Sequence, residues 1–253
     1  MGKFWGIVSQ VIKAADVVLL LIDARMIEET RHKDIEMHVK AEKKPLIYTV
    51  TKCDLVHPDQ LEKLKHTLHP CVFVSSTNYH GLNQLKQKIF GEASRAGLKK
   101  TTIFVGVLGY PNVGKSSLIN AMTGKGSAKT SNLAGYTRGK KKIASMRGNI
   151  TFVDTPGIIP IKEKTQPGAK LKHAIIGAID YRTEKDPDVV IMAIMDAYPG
   201  RIENHYHVPQ QEDKEQTLAS IALKQGLILK GKLPDIERTS VMILKQWQAG
   251  KIR

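Results

Sequence analysis

A doubly wound α/β sheet followed by a mainly helical region is the fold class that this 253-residue chain predicts. Three observations point there. Five runs rich in Val, Ile, Phe and Thr recur up to residue 160, most of them apolar on both faces, as central parallel strands are. Segments of helical length lie between them. After Pro160 the runs give way to helical patterns, joined by the polar, Pro/Gly-containing stretch "KEKTQPGAK".

The first strand is "VVLLLID" (17–23), an apolar run bounded by Asp16 and Asp23. It is far short of the roughly 20 residues that a membrane-spanning helix needs. A helix over 28–42 leads to "PLIYTV" (45–50), and one over 59–68 to "CVFVS" (71–75). A helix over 82–90 precedes "TTIFVGVLG" (101–109), and one over 115–123 comes before "ITFVDT" (150–155). Further helices are expected near 171–179, 187–197, 212–226 and 235–248. In the last of these, Ile236, Ile243 and Trp247 fall at helical spacing. The run "VVIMAIM" (189–195) would also serve as a strand on composition alone. The expected division is a domain over 1–160 and a helical domain over 161–253.

Two cysteines, Cys53 and Cys71, are too few for a disulfide framework and favour a reducing interior. With no spanning segment and no signal-peptide cleavage pattern, a cytoplasmic chain without a membrane partner is expected, monomeric by default. The net charge of +15 is uneven: residues 86–147 carry 13 Lys/Arg against one acid, Glu92. Elsewhere 11 face 10 (1–85) and 15 face 13 (148–253). Such a concentration is either a merely basic surface or a footprint for a polyanion, RNA above all.

Chemistry enters at "GYPNVGKSS" (109–117), between a strand and a helix. Gly109-x-x-x-x-Gly114-Lys115-Ser116 fits a phosphate-binding loop. Its glycines allow backbone N–H groups, those of Asn112 and Val113 among them, to crowd round a phosphate at a helix N-terminus. Lys115 supplies a point charge, Ser116 a hydroxyl for Mg²⁺, and Ser117 a further hydroxyl in the first turn. "DTPG" (154–157) ends another strand: Asp154 can hold Mg²⁺ through water, and the Gly157 N–H can meet a γ-phosphate. In the intervening "AGYTRG", Thr137 is the candidate for a second hydroxyl on Mg²⁺. "TKCD" (51–54) and "SST" (75–77) follow two earlier strands. The Asp54 carboxylate can accept both N–H donors on the Watson–Crick edge of guanine, a pattern adenine lacks. The Lys52 stem can cover the base plane. A backbone N–H of the Ser75–Ser76–Thr77 loop can donate to guanine O6.

In these motifs the chain resembles the circularly permuted GTPases of the YlqF/YawG family, which act in large ribosomal subunit assembly. The guanine motifs "TKCD" and "SST" come before "GYPNVGKSS", "AGYTRG" and "DTPG", an order usually written G4-G5-G1-G2-G3. The resemblance covers residues 4–160 by motif and the helical tail less closely. It implies a P-loop NTPase sheet, GTP/GDP and Mg²⁺ as ligands, and slow hydrolysis of GTP with Lys115, Thr137 and Gly157 at the reacting end. It also implies ribosomal RNA in the large subunit as partner, with residues 161–253 an RNA-binding domain. Since every motif sits at the carboxyl end of a strand, where such sheets bind ligands, permutation leaves the loops in place. In this order "DTPG" leads almost directly into the helical tail. Nucleotide state is therefore expected to reposition that tail, read out as different proteolysis of residues 158–172 with GDP and with a GTP analogue.

Three departures from the family pattern stand out. Ile158 occupies the position after Gly157 where many GTPases carry a water-orienting Gln. The N-terminal "MGKFWGIVSQVIK" lacks the His that some members use for that purpose. Thr51 replaces the usual Asn. Asn112 resembles the K⁺ ligand of potassium-stimulated GTPases, and K⁺ there would supply positive charge. Two alternatives stay open: a GTPase acting on another RNA or partner, and a nucleotide-gated RNA scaffold with negligible turnover.

Overall fold

The computed structural model describes residues 3–124, 141–144, 149–154 and 168–252, in two compact units, Met1–Gln166 and Pro167–Arg253. In the first, helix α1 (Lys3–Ala14) precedes β1 (Val17–Asp23), α2 (Ile27–Thr30) and α3 (Lys33–Ala41). Strand β2 (Leu46–Thr51) runs into a 3₁₀ turn, Cys53–Leu55, and then α4 (Pro58–Leu64), β3 (Cys71–Val74) and α5 (Leu82–Arg95). Strand β4 (Ile103–Leu108), α6 (Lys115–Thr123), β5 (Lys141–Ala144) and β6 (Ile150–Asp154) complete it.

The six strands are ordered β3-β2-β1-β4-β6-β5. All pair in parallel except β5, which runs antiparallel to β6. After β1 the chain steps outward to β2 and β3, then returns through α5 to lay β4 against the other side of β1. Between β1 and β4 the winding reverses direction, and such sheets bind ligands in the crevice beyond the strand ends at that point. Strand β1 is buried along its whole length, as its unbroken apolar run requires.

Within this unit the structure differs from the sequence reading in three places, and in the second unit the helix Arg201–Tyr206 was not expected either. The expected helix over 28–42 is broken at Arg31–His32. There the Thr30 hydroxyl turns back to Met26 O (2.5 Å), and His32 Nδ1 caps α3 by accepting from the Ile35 N–H (3.4 Å). Helix α1 was not expected, yet it buries Val8, Val11 and Ile12 against the sheet. Strand β5 also went unread, since "KKIA" carries little strand signal.

The second unit is helical: α7 (Ala169–Ile175), α8 (Pro187–Ala197), α9 (Arg201–Tyr206), α10 (Lys214–Lys224) and α11 (Ile236–Gln248). The ambiguous run 189–195 lies within α8, burying Val190, Ile191, Ile194 and Met195. Helix α11 packs on α8 and α10. Its Trp247 Nε1 donates to Ile175 O (3.0 Å), and Gln248 Nε2 to Ala174 O (3.0 Å) and Ile179 O (2.9 Å), pinning the end of α7. No helix among the described residues is long and apolar enough to cross a membrane.

Candidate functional site

The motif loops leave the carboxyl ends of β2, β3 and β4, and Asp154 is the last residue of β6. After Leu108 the backbone enters Gly109 at φ +149, where a Cβ would stand 2.8 Å from Leu21 O. Glycine is the residue that allows β1 and the loop to approach so closely. Asn112 (φ +59) and Gly114 (φ +100) then carry left-handed backbone that curls the loop into the start of α6. No side chain caps α6, and a helix N-terminus of that kind offers its first-turn N–H groups to an anion. Lys115 is buried, with Nζ donating to Gly109 O (3.0 Å) and Tyr110 O (2.5 Å), so its ammonium is held inside the loop. Ser116 is half-buried and Ser117 exposed.

Two further loops lie on the other side of β1, and the first of them is bonded to this one. The buried Thr51 hydroxyl donates to Val113 O at 2.6 Å, with Ile22 O a further acceptor at 3.1 Å. "TKCD" and the phosphate loop, 62 residues apart in sequence, are thus directly joined. The hydroxyl that stands where the family pattern has Asn keeps the link to the loop. Lys52 takes left-handed backbone (φ +57). Asp54, in the 3₁₀ turn, is half-buried, and its carboxylate has no hydrogen-bond partner among the described residues. In the third loop the Ser75 N–H donates to His80 O (3.1 Å), and Ser75 Oγ accepts from the Asn78 N–H (3.1 Å). Of the Ser75, Ser76 and Thr77 N–H groups, that of Ser75 is thus already engaged within the loop. Thr137 and Gly157 lie outside the described residues, as does the Asp154 side chain.

Asp23 is a member of the site that sequence reasoning missed. At 1% exposure its carboxylate accepts from Lys52 Nζ (2.7 Å), Arg25 Nε (3.0 Å) and Arg25 Nη2 (2.8 Å). Burial pushes its pKa up, but Lys52 and Arg25 overcome that and hold the carboxyl well below its ordinary range. The Lys52 ammonium is thereby anchored on Asp23. A second brace is aromatic: buried His32 stacks on Tyr110 of the phosphate loop (5.6 Å between centroids, 29°), and Trp5 meets His32 edge-on (6.4 Å). The cue for Asp23 was a lone acid ending an apolar strand; nothing in the sequence singled out His32.

Residues 8–162 match the RsgA GTPase family, and residues 104–229 match the family described as 50S ribosome-binding GTPase. A GTP-binding protein of Methanocaldococcus jannaschii is 36% identical over 97% of this chain and 65% of its own length. Nucleolar GTP-binding protein 2 of Saccharomyces cerevisiae is 32% identical over 99% of this chain and 52% of its own length. The chain thus spans about two thirds or less of these relatives. The crystal structure of GNP-bound YlqF from T. maritima has the same fold, with a TM-score of 0.66 and 19% identity across 99% of this chain and 95% of that one.

Proposed function

The chain belongs to the RsgA GTPase family, with its motifs in permuted order, and from that premise we propose that it binds GTP and GDP and hydrolyses GTP slowly on its own and faster on a large ribosomal subunit. The observation that supports this reading is the Thr51–Val113 hydrogen bond, which joins the loop that carries Asp54 to the loop that carries Lys115. Asp54 accepts from guanine N1–H and N2–H, the Lys52 stem covers the base, and the Ser76 or Thr77 N–H meets O6. Lys115, preset on two loop carbonyls, neutralises β/γ-phosphate oxygens as they gain charge. Ser116, Thr137 and Asp154 would hold Mg²⁺, which supplies charge neutralisation at the phosphates when bound. The Asn112 side chain is proposed as a K⁺ ligand. With Ile158 in place of a water-orienting Gln, turnover waits for a group from the partner. The concentrated basic charge of residues 86–147 supports ribosomal RNA as that partner.

The test has two stages. Calorimetry should show GDP binding and no ADP binding, and Asp54→Asn should shift preference toward xanthosine diphosphate, whose C2 carbonyl accepts from the new amide. Turnover should then rise with purified large subunits, and more in KCl than in NaCl. Equal affinity for ADP and GDP would overturn the base assignment. The same Ile158 favours one second reading, a nucleotide-gated RNA scaffold; single-turnover hydrolysis unchanged by subunits would select it.

A further inference from the structure

The link between α10 and α11 closes as a small hairpin: Leu229 N–H donates to Leu233 O (2.8 Å), Asp235 N–H to Leu227 O (2.9 Å), and Ile228 bridges Pro234. Lys230-Gly231-Lys232 forms its tip, with Gly231 (φ +85) and Lys232 (φ +61) in left-handed backbone. Opposed residues share a face and neighbours alternate, so Leu229/Leu233 point to one side and Ile228/Pro234 to the other. Leu229 (53%), Leu233 (62%) and Ile228 (51%) are nonetheless all exposed. A hairpin lying on its domain would bury one face. This one leaves Leu229 and Leu233 exposed on one face and Ile228 on the other, beside a half-buried Pro234, and its apolar flanks carry a basic tip. Residues 216–234 contain Lys224, Lys230 and Lys232 and no acid.

We infer that this hairpin is a wedge that enters a groove of folded RNA, its leucines against sugar and base edges and Lys230 and Lys232 on the phosphates beyond. Apolar flanks on both sides call for an occupant that closes round them, so a flat surface does not suit. A protein groove would have to bury the two tip ammoniums, which is costly without matched acids at its floor, and Lys is depleted from such interface cores. A lipid bilayer would meet the charged tip first. A phosphate-walled groove meets it with opposite charge, and aliphatic side chains wedged at base steps are an established way of gripping nucleic acid. The inference rests on the RNA target proposed above and assigns it a contacting element.

Leu229→Ser/Leu233→Ser and Lys230→Gln/Lys232→Gln change only exposed side chains. Filter binding to deproteinised large-subunit RNA across a salt series, with a non-hydrolysable GTP analogue, should show the leucine pair weakening affinity by roughly tenfold or more. The lysine pair should reduce the slope of log K against log salt by about 2. Calorimetric GDP affinity and melting temperature should match the wild type in both. If the wild-type chain binds no such RNA, this inference and the RNA target fall together. If it binds and both variants stay within twofold, the hairpin assignment alone falls. Weakening confined to intact subunits, or to anionic phosphatidylglycerol vesicles, would identify a protein or a membrane as the occupant and overturn it equally.

Discussion

Asp23→Asn is the substitution that bears most directly on the site. The side chains are nearly isosteric, so packing is kept, and Asn can still accept the Arg25 N–H that now reaches Oδ1 at 3.0 Å. What changes is Oδ2, which accepts from Lys52 Nζ at 2.7 Å and Arg25 Nη2 at 2.8 Å. An amide there turns two acceptances into donor-against-donor contacts and removes the carboxylate charge that both cations face. Removing one member of a buried ion pair costs roughly 3–5 kcal/mol. Lys52 retains about a quarter of its side-chain exposure and can swing outward, so we expect the lower end, about 3 kcal/mol, a large share of a typical 5–15 kcal/mol. Urea unfolding in nucleotide-free buffer would measure it, in a Trp247→Phe background that leaves Trp5 of the first unit as reporter. With Lys52 unanchored, GDP affinity should fall as well. The pH dependence carries a definite sign. A carboxyl held below its ordinary 3.8 stabilises the fold fully above that value, and the contribution is lost as pH falls below it. The gap between wild type and Asp23→Asn should therefore be constant near neutrality and close below about pH 4. A loss under about 1 kcal/mol with unchanged GDP affinity would refute the anchoring argument.

Gly81→Ala places a Cβ 2.0 Å from Phe73 O at φ +75, so the β3–α5 junction must shift. A stability loss of roughly 2–4 kcal/mol and weaker GDP binding are expected, and near-neutral behaviour in a melting curve would contradict the geometry. Thr51→Val strips the phosphate-loop carbonyl of Val113 of its donor, for about 1–2 kcal/mol and a raised GDP Kd, whereas Thr51→Ser should retain both. Burial pushes the Cys53 thiol up and the Cys71 thiol to about 11. Both should therefore react slowly with a disulfide reagent at pH 8 and fast after denaturation; rapid native labelling would disprove it.

The parallel strands were legible because central ones buried on both faces must be written as unbroken apolar runs, β1 being the plainest case, whereas the antiparallel edge strand β5 carries no such run. The α8 run could be read either way, since a buried helix and a buried strand share a composition. Helix α1 carried its signal in the spacing of Val8, Val11 and Ile12, masked by Gly6 and the polar residues between them. The break in 28–42 was not legible, because Arg31 and His32 end and restart a helix through a side-chain cap and not through Gly or Pro. In the site, the loops were found because each motif is several residues long and follows a strand. Asp23 escaped because its role depends on register: opposite Thr51 across the β1–β2 ladder, it stands next to Lys52, and no spacing along the chain reveals that.

The end of β1 also explains how the site tolerates a reversed order of motifs. Leu20 pairs with Leu108 at the end of β4, so Leu21, Ile22 and Asp23 run on past the last β4 residue of that ladder. Leu21 O abuts Gly109, Ile22 O lies within reach of the Thr51 hydroxyl, and Asp23 holds Lys52. Three successive residues of one buried strand therefore brace the phosphate loop on one side and the base loop on the other. Those contacts depend on which strands flank β1, and not on whether β2 or β4 comes first along the chain. A permutation that keeps β2 and β4 beside β1 keeps the spacing between Asp54 and Lys115, and with it the reach that a single nucleotide would have to span.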